Sequence, residues 1–389
     1  MADGQDRRGV LYLSPMITVT IDSPKPDLGP DWDDLLARAS SPNVFMNPAA
    51  LFAAVATGFA AIRMLLAWEE DGAGRKLVGI WALRLRKFAP LWPVMLDALP
   101  FNYAFVSSPI VDPAYADAVI AAFFSAIEKS TLPKVLNLPS LDLEGPVYAA
   151  MLMALKRRGT EPLVLSEISR PYVTRESGVK RTGSTRKKLR QDWNRLSSLG
   201  TAEIVNDRNP AGVNQAFEAF LELEKASWKG ERGTALLSSE SDAAFVRRLV
   251  RDLAERQAAS VAQLRVNGEV IASQVLMYCG DTAYTWKTAF DPAYAKYSPG
   301  ALLVDKITDE LLASEGIKAI NSCAAESSFM GQLWSGRRAM ADMLVDIGPG
   351  KSLGYRIEAL RLTGYQRLRD LRDRLRHAPA SQSKPKQAA

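Results

Sequence analysis

The chain has one histidine and two cysteines in 389 residues, and each scarcity removes a class of chemistry. His377 stands just before a terminal stretch of Pro, Ser, Gln and Lys, where no pocket is expected. Ser-His-Asp and Cys-His schemes, and metal centres built on imidazole, need that ring inside the fold. The expected site therefore holds no metal and works through carboxylates, Tyr, Lys, Ser or backbone groups. Cys279 and Cys323 lack the paired spacing of a zinc site, which points to a reducing compartment rather than a disulfide framework. Long apolar runs are missing as well. The first residues, MADGQDRRGVLYLSP, are charged and contain no signal-peptide core. The most apolar stretch, Pro48 to Trp68, is interrupted by Arg63 and weakened by Thr57 and Gly58, and its second half reads as a strand. Together these features predict a cytoplasmic protein with no spanning helix.

What is present is an ordinary globular composition, 47% apolar and 24% charged, in a chain too long for one core, so two domains are expected. The formal charge of +6 gathers in Lys180 to Arg195 and Arg356 to Arg376, both helix-like. Solvated helix faces explain such blocks most simply. The functional readings are a phosphate-rich ligand or an anionic membrane surface, which would make the protein peripheral to the inner membrane. Nucleic acid ranks last, because no recognition motif accompanies the charge.

Periodicity predicts a leader over 1–15, then a strand (Met16 to Ile21), helices in DWDDLLARA and PAALFAAVATGF, and strands in IRMLLAWEE, KLVGIWALRLRKF and FNYAFVSSPIV. A helix over Tyr115 to Ser130, a strand KVLNLP, a helix over Pro146 to Arg158 and a strand near EPLVLSEI complete the first half. The second half repeats this order of elements, without residue-level identity between halves. Its three-strand meander turns at Asn267-Gly268, the strongest short hairpin signal, because both turn residues need positive φ. The boundary is placed near Tyr172 to Lys180, giving domains over 16–175 and 176–376 and a disordered tail over 377–389. Each domain is expected to hold a mixed α/β sheet with helices on both faces.

Ala283 to Val304, AYTWKTAFDPAYAKYSPGALLV, reads as strand, loop and helix start. A glycine there lets a ligand approach the backbone, and first-turn amides with the helix dipole suit a pyrophosphate. An ordinary loop-to-helix junction has the same look. Context adds weight: a meander followed by a loop and helix is the order of the GNAT core. LELEKASWKGERGTAL, NGEVIASQVLMY, AYTWKTAFDPAYAKYSPGALL and INSCAAESSFMGQLWSGRR, with FMNPAALFAAV and LNLPSLDLEGPVYAAMLMAL, resemble the CelD/BcsL family of GNAT-like proteins, itself similar to the FemX-like group.

The resemblance implies two tandem GNAT-like domains and acyl transfer, acetyl transfer foremost, from an acyl-CoA such as acetyl-CoA to an amine or hydroxyl. A saccharide acceptor in polysaccharide or cell-envelope biosynthesis fits this family. The FemX relation offers aminoacyl-tRNA as the alternative donor, and a non-catalytic scaffold of a polysaccharide-synthesis assembly is the other alternative. Of the general phosphate signature only Lys296 and Gly300 are kept, and the first half's SSPIVDPAYADAV has no glycine before its helix, so one cofactor site is expected. Thr288, Ala289 and Phe290 would hold the pantetheine arm; Lys296, Tyr297, Ser298, Gly300, Ala301 and Leu302 would surround the pyrophosphate.

Without histidine, a carboxylate or tyrosine must take the acceptor's proton. Asp291, Glu224 and Tyr284 are the candidates, although Asp291 also reads as a turn starter and Glu224 as a surface residue. Trp228, Lys229, Trp286, Lys287, Trp334 and Arg337 are candidates for the acceptor side. Tyr284 and Trp286 should share one strand face, with Lys287 on the other.

Overall fold

The computed structural model describes residues 16–71, 74–180 and 182–377; the expected leader, and the expected tail beyond its first residue, lie outside the described residues. The first half runs β1 (Met16–Asp22), α1 (Pro30–Arg38), α2 (Pro48–Ala56), β2 (Ile62–Asp71), β3 (Gly74–Lys87), β4 (Val94–Asp97), β5 (Ile110–Val111), α3 (Ala116–Lys129), β6 (Val135–Asp142), α4 (Pro146–Arg157) and β7 (Leu163–Thr174). The second runs α5 (Ser184–Ser197), β8 (Ala202–Asp207), α6 (Pro210–Ala226), α7 (Trp228–Glu231), α8 (Glu240–Ala254), β9 (Ala259–Val266), β10 (Glu269–Cys279), β11 (Thr282–Phe290), α9 (Pro299–Ala313), β12 (Ala319–Asn321), α10 (Phe329–Leu333), β13 (Arg337–Asp346) and α11 (Leu353–His377).

Local chemistry explains several of these boundaries. Asn47 and Asn209 cap α2 and α6 by accepting the amide two residues on, each followed by a proline at the first helical position, where the missing N–H costs nothing. Asn267 and Gly268 both take positive φ and close the β9–β10 hairpin as their sequence requires. The apolar stretch Pro48 to Trp68 divides into α2 and β2, and β2 pairs with β3 along its whole length. Among the described residues no helix is long and apolar enough to cross a membrane.

All strands join one mixed sheet in the order β1-β2-β3-β4-β6-β13-β7-β12-β11-β10-β9-β8, with β5 on β3. Two strands cross between the halves. β13, from the end of the chain, lies between β6 and β7, while β7 pairs with β13 through Leu163–Pro171 and with β12 through Tyr172–Thr174. A two-pronged ion pair fastens the exchange, Arg338 Nε and Nη2 donating to Asp142 at 3.0 and 2.7 Å, a geometry that suits guanidinium and carboxylate.

The strand expected over residues 101–111 is a correction. Only Ile110–Val111 joins the ladder, because the aromatics of FNYAF are spent on the contact between halves. Phe245 of α8 stacks on Phe59 at a 4.2 Å centroid distance and meets Phe101 edge-on at 5.2 Å. Tyr284 lies edge-on to Phe45 at 5.8 Å. One continuous buried cluster spans both halves, and a second fills the C-terminal half together with Val173 of β7.

The absence of residue-level identity between halves is also corrected. Asp112–Ala116 and Asp291–Ala295 are both DPAYA, and both occupy the same place. Each Asp accepts, through Oδ1, the amide two residues on (Ala114 at 3.1 Å, Ala293 at 2.8 Å) and starts a 3-10 turn. In the first copy α3 follows at once; in the second, Lys296-Tyr297-Ser298 intervene before α9.

Candidate functional site

Two irregularities in the sheet make an opening. β11 is parallel to β12 only over Thr282–Tyr284 against Ala319–Asn321, and the rest of β11 has no ladder partner on that side. The β10–β11 register also slips, Val275 facing Lys287 but Leu276 facing Thr285, which makes Trp286 the extra residue of a β-bulge. A bulge re-aims side chains and leaves its extra residue outside the regular ladder. The expected alternation therefore fails here. Trp286 and Lys287 lie on the same side: the Trp286 indole N–H donates to the Tyr103 carbonyl at 2.9 Å, while Lys287 Nζ sits 4.8 Å from the Tyr103 ring centroid.

Lys287 is enclosed by groups from three elements. Glu224, at the end of α6, is fully buried; its Oε1 accepts from Lys229 Nζ at 2.8 Å and stands 3.9 Å from Lys287 Nζ, while its Oε2 accepts the Leu236 amide at 2.9 Å. Tyr103 reaches in from the first half, with the Asp242 carboxylate of α8 near enough to act on its phenol. Burial, helped by Lys229, holds the Lys287 amine below the ordinary lysine value of 10.5, against the opposing pull of Glu224 and Asp242. Burial and the Asp242 carboxylate push the Tyr103 phenol up. A lysine held below its ordinary pKa beside a buried carboxylate can accept and return a proton.

On the other side of β11, α9 begins at Ser298, a non-glycine residue in the left-handed region (φ 52°, ψ 46°). Its carbonyl accepts the Ala301 and Leu302 amides, both at 3.0 Å. Pro299 has no N–H, so among the described residues Gly300 has the amide of this turn without a protein partner. Ser298 Oγ accepts from Lys188 Nζ of α5 at 2.7 Å. Lys296 Nζ and the Arg195 guanidinium lie 5.1 and 5.3 Å from the Tyr297 ring centroid. A Cβ on Gly300 would come within 3.2 Å of the Phe290 ring and 3.6 Å of Thr288. The half-buried turn is thus flanked by the exposed basic side chains of Lys188, Arg195 and Lys296, beside the diverging end of β11.

The structure brings Glu224, Lys229, Trp286 and Lys287 together around the bulge, and Thr288, Phe290, Lys296, Tyr297, Ser298 and Gly300 together at the α9 start. Ala289 and Leu302 have buried side chains, and Ala301 is half-buried. Asp291 caps the 3-10 turn, one oxygen taken by Ala293. The buried Tyr284 hydroxyl donates to the Pro42 carbonyl, tying the halves together. Trp334 is fully buried, its indole N–H on Thr308 Oγ1 at 3.2 Å, so it presents no face to a sugar. Arg337 donates to the carbonyls of Gly331, Trp334 and Gly336, and Trp228 is 52% exposed. Tyr103 and Asp242 carry no sequence signal for this site; only the packing of the halves brings them in. Among the described residues no group of three or more His, Cys, Asp or Glu could hold a metal.

Residues 183–329 match the family model described as acetyltransferase (GNAT) domain. Among solved structures, "Crystal structure of FemX" aligns with a TM-score of 0.57 at 13% identity over 82% of this chain and 96% of that one. A conserved protein of unknown function from Bacteroides thetaiotaomicron VPI-5482 aligns at 0.53 and 11% identity, covering 84% and 99%. L-PGS from Bacillus licheniformis aligns at 0.51 and 14%, covering 87% and 98%. At such identities the likeness is one of fold. No curated protein sequence matches the chain. The large mixed sheet with its helices is thus a GNAT-like α/β fold, consistent with two tandem GNAT-like domains.

Proposed function

We propose that the chain is an acyltransferase that moves an acyl group from a CoA thioester, acetyl-CoA foremost, to an amine or hydroxyl. One observation carries this reading: in one half only, the diverging β11 edge, the bulge with its half-buried lysine and the glycine-bearing helix start lie in succession. We divide the labour accordingly, residues 176–376 as the transferase half and 16–175 as a partner without a donor site, whose DPAYA turn runs straight into α3.

In this reading the Gly300 amide, Lys188, Lys296 and Ser298 receive the pyrophosphate, and the unpaired edge of β11 beyond Tyr284 takes the pantetheine arm. The bulge sets the thioester carbonyl beside Trp286 and Lys287. The acceptor nitrogen or oxygen attacks the acyl carbon, the carbon–sulfur bond breaks, and the acceptor's proton passes to Lys287. Glu224 stabilises the ammonium that forms. Lys287 thus replaces Asp291 and Tyr284 as the proton acceptor, since the one caps a turn and the other is bonded to Pro42. An acceptor from saccharide or cell-envelope assembly follows from the sequence resemblance.

The test is release of free CoA thiol across an acyl-CoA panel with amine, hydroxyl and saccharide acceptors. Gly300→Glu, which sets a carboxylate where phosphate should lie, is expected to lower turnover at least tenfold, while Gly300→Ala retains most of it. Absence of CoA binding up to millimolar concentration would remove the proposal. A second reading, an aminoacyl-tRNA donor, is favoured by one feature: α5 exposes Lys187, Lys188, Arg190 and Arg195 beside a helix start with a single open amide. Salt-sensitive tRNA binding without CoA binding would select it.

The pH dependence separates Lys287 from the carboxylates. A base that must be neutral gives activity that rises with pH through an inflection, here below 10.5 because burial lowers the Lys287 pKa. Glu224 raises that pKa, so Glu224→Gln should move the inflection to lower pH, and Lys287→Met should abolish it. An inflection unchanged in Lys287→Met would assign the base elsewhere.

A further inference from the structure

The turn between β3 and β4 and the start of α11 form one exposed patch that the proposed reaction does not use. Helix α11 seats an inner face against the sheet: Tyr355 is buried with Met95, Val135 and Leu344, and Glu358 accepts the Trp92 indole N–H at 2.8 Å. Its outer face, at spacings of three, four and seven, presents Leu353, Arg356, Leu360 and Arg367. Leu353 and Leu360 are 73% and 74% exposed; across the seam Leu91 is wholly exposed and Phe88 is 56% exposed. The seam is closed, with the Arg361 guanidinium 4.5 Å from the Phe88 ring centroid.

Apolar side chains this exposed, on two elements that hold each other in place, mark a surface made to meet something. The charge says what. Lys87, Lys351, Arg356 and Arg367 are exposed around the apolar residues. The single carboxylate within residues 86–94 and 351–368, Glu358, is buried and bonded to Arg361 and Trp92. Nothing acidic on these segments opposes an anionic partner. The apolar residues protrude singly rather than lining a groove, and long basic side chains can lay their stems along the acyl boundary with their charges among headgroups. With no spanning helix among the described residues, contact would be interfacial.

We propose that this patch docks the protein on an anionic lipid bilayer, inserting Leu91, Leu353 and Leu360 while Lys87, Lys351, Arg356 and Arg367 engage the lipid charge. Flotation of the full chain with vesicles of phosphatidylcholine containing 30% phosphatidylglycerol tests it, with pure phosphatidylcholine as the reference. Binding is expected to be at least tenfold stronger on the anionic vesicles and to fall with salt. The triple variant Leu91→Ser, Leu353→Ser, Leu360→Ser and, separately, Lys87→Glu with Arg356→Glu should each weaken it at least tenfold, with far-ultraviolet dichroism and melting unchanged. Equal binding to both vesicles, no binding at low salt, or binding untouched by both variants would each overturn the proposal. So would light scattering that shows leucine-dependent dimers with no vesicle binding, since the patch would then be a contact between copies.

Discussion

Replacing Glu224 by alanine is expected to destabilise the protein by about 3–5 kcal/mol, the usual effect of removing one partner from a buried ion pair. Glu224 has no exposed surface; it accepts hydrogen bonds from Lys229 at 2.8 Å and the Leu236 amide at 2.9 Å and pairs with the Lys287 ammonium at 3.9 Å. Alanine leaves an orphaned amide and two crowded ammonium groups, whose side chains are only 23% and 15% exposed. Glutamine keeps an acceptor for Leu236 and should cost less. Adding Lys287→Met to Glu224→Ala should restore part of the loss, since it removes the charge left without compensation. Urea unfolding measures all of these variants, and a loss under 1 kcal/mol for Glu224→Ala would show that water reaches the pair and that the site is not the desolvated cluster described above.

Phe245→Ala should cost about as much, roughly 3–5 kcal/mol, for a different reason. Phe245 is fully buried on the C-terminal half's α8, yet its neighbours Phe59, Phe101 and Tyr103 belong to the other half. The cavity would open where the halves meet. The expected result is therefore a single unfolding transition at lower urea, followed alike by far-ultraviolet dichroism and tryptophan fluorescence. Two separated transitions would mean that the halves are energetically independent despite their shared sheet.

Much of the fold could be read from local chemistry, because helix caps and tight turns are decided by neighbouring residues. Asn47-Pro48, Asn209-Pro210 and Asn267-Gly268 each specify a boundary without help from the rest of the chain. Strand neighbours are another matter. Alternation in β13 tells which residues face the core, but nothing in RAMADMLVD says that its partners are β6 and β7. The bulge at Trp286 was equally hidden, since strand periodicity places Lys287 opposite Trp286 and only the slipped register with β10 reverses it. Tyr103 stands 183 residues before the indole that it receives, and its segment resembled a strand because aromatics favour both sheets and interfaces. Glu224 was singled out by sequence, but its complete burial was not, since an isolated glutamate belongs at the surface.

The crossing of β7 and β13 bears on how far such a two-part chain can be shortened. Two repeats joined by a simple tether can be trimmed to one. Here, deleting the first half would strip β13 of both β6 and β7 and β12 of β7, and deleting the second would take β13 out from between β6 and β7. Unpaired edges invite aggregation. Each half therefore completes the other's sheet, and a truncation at the boundary between them exposes backbone that the intact chain keeps paired.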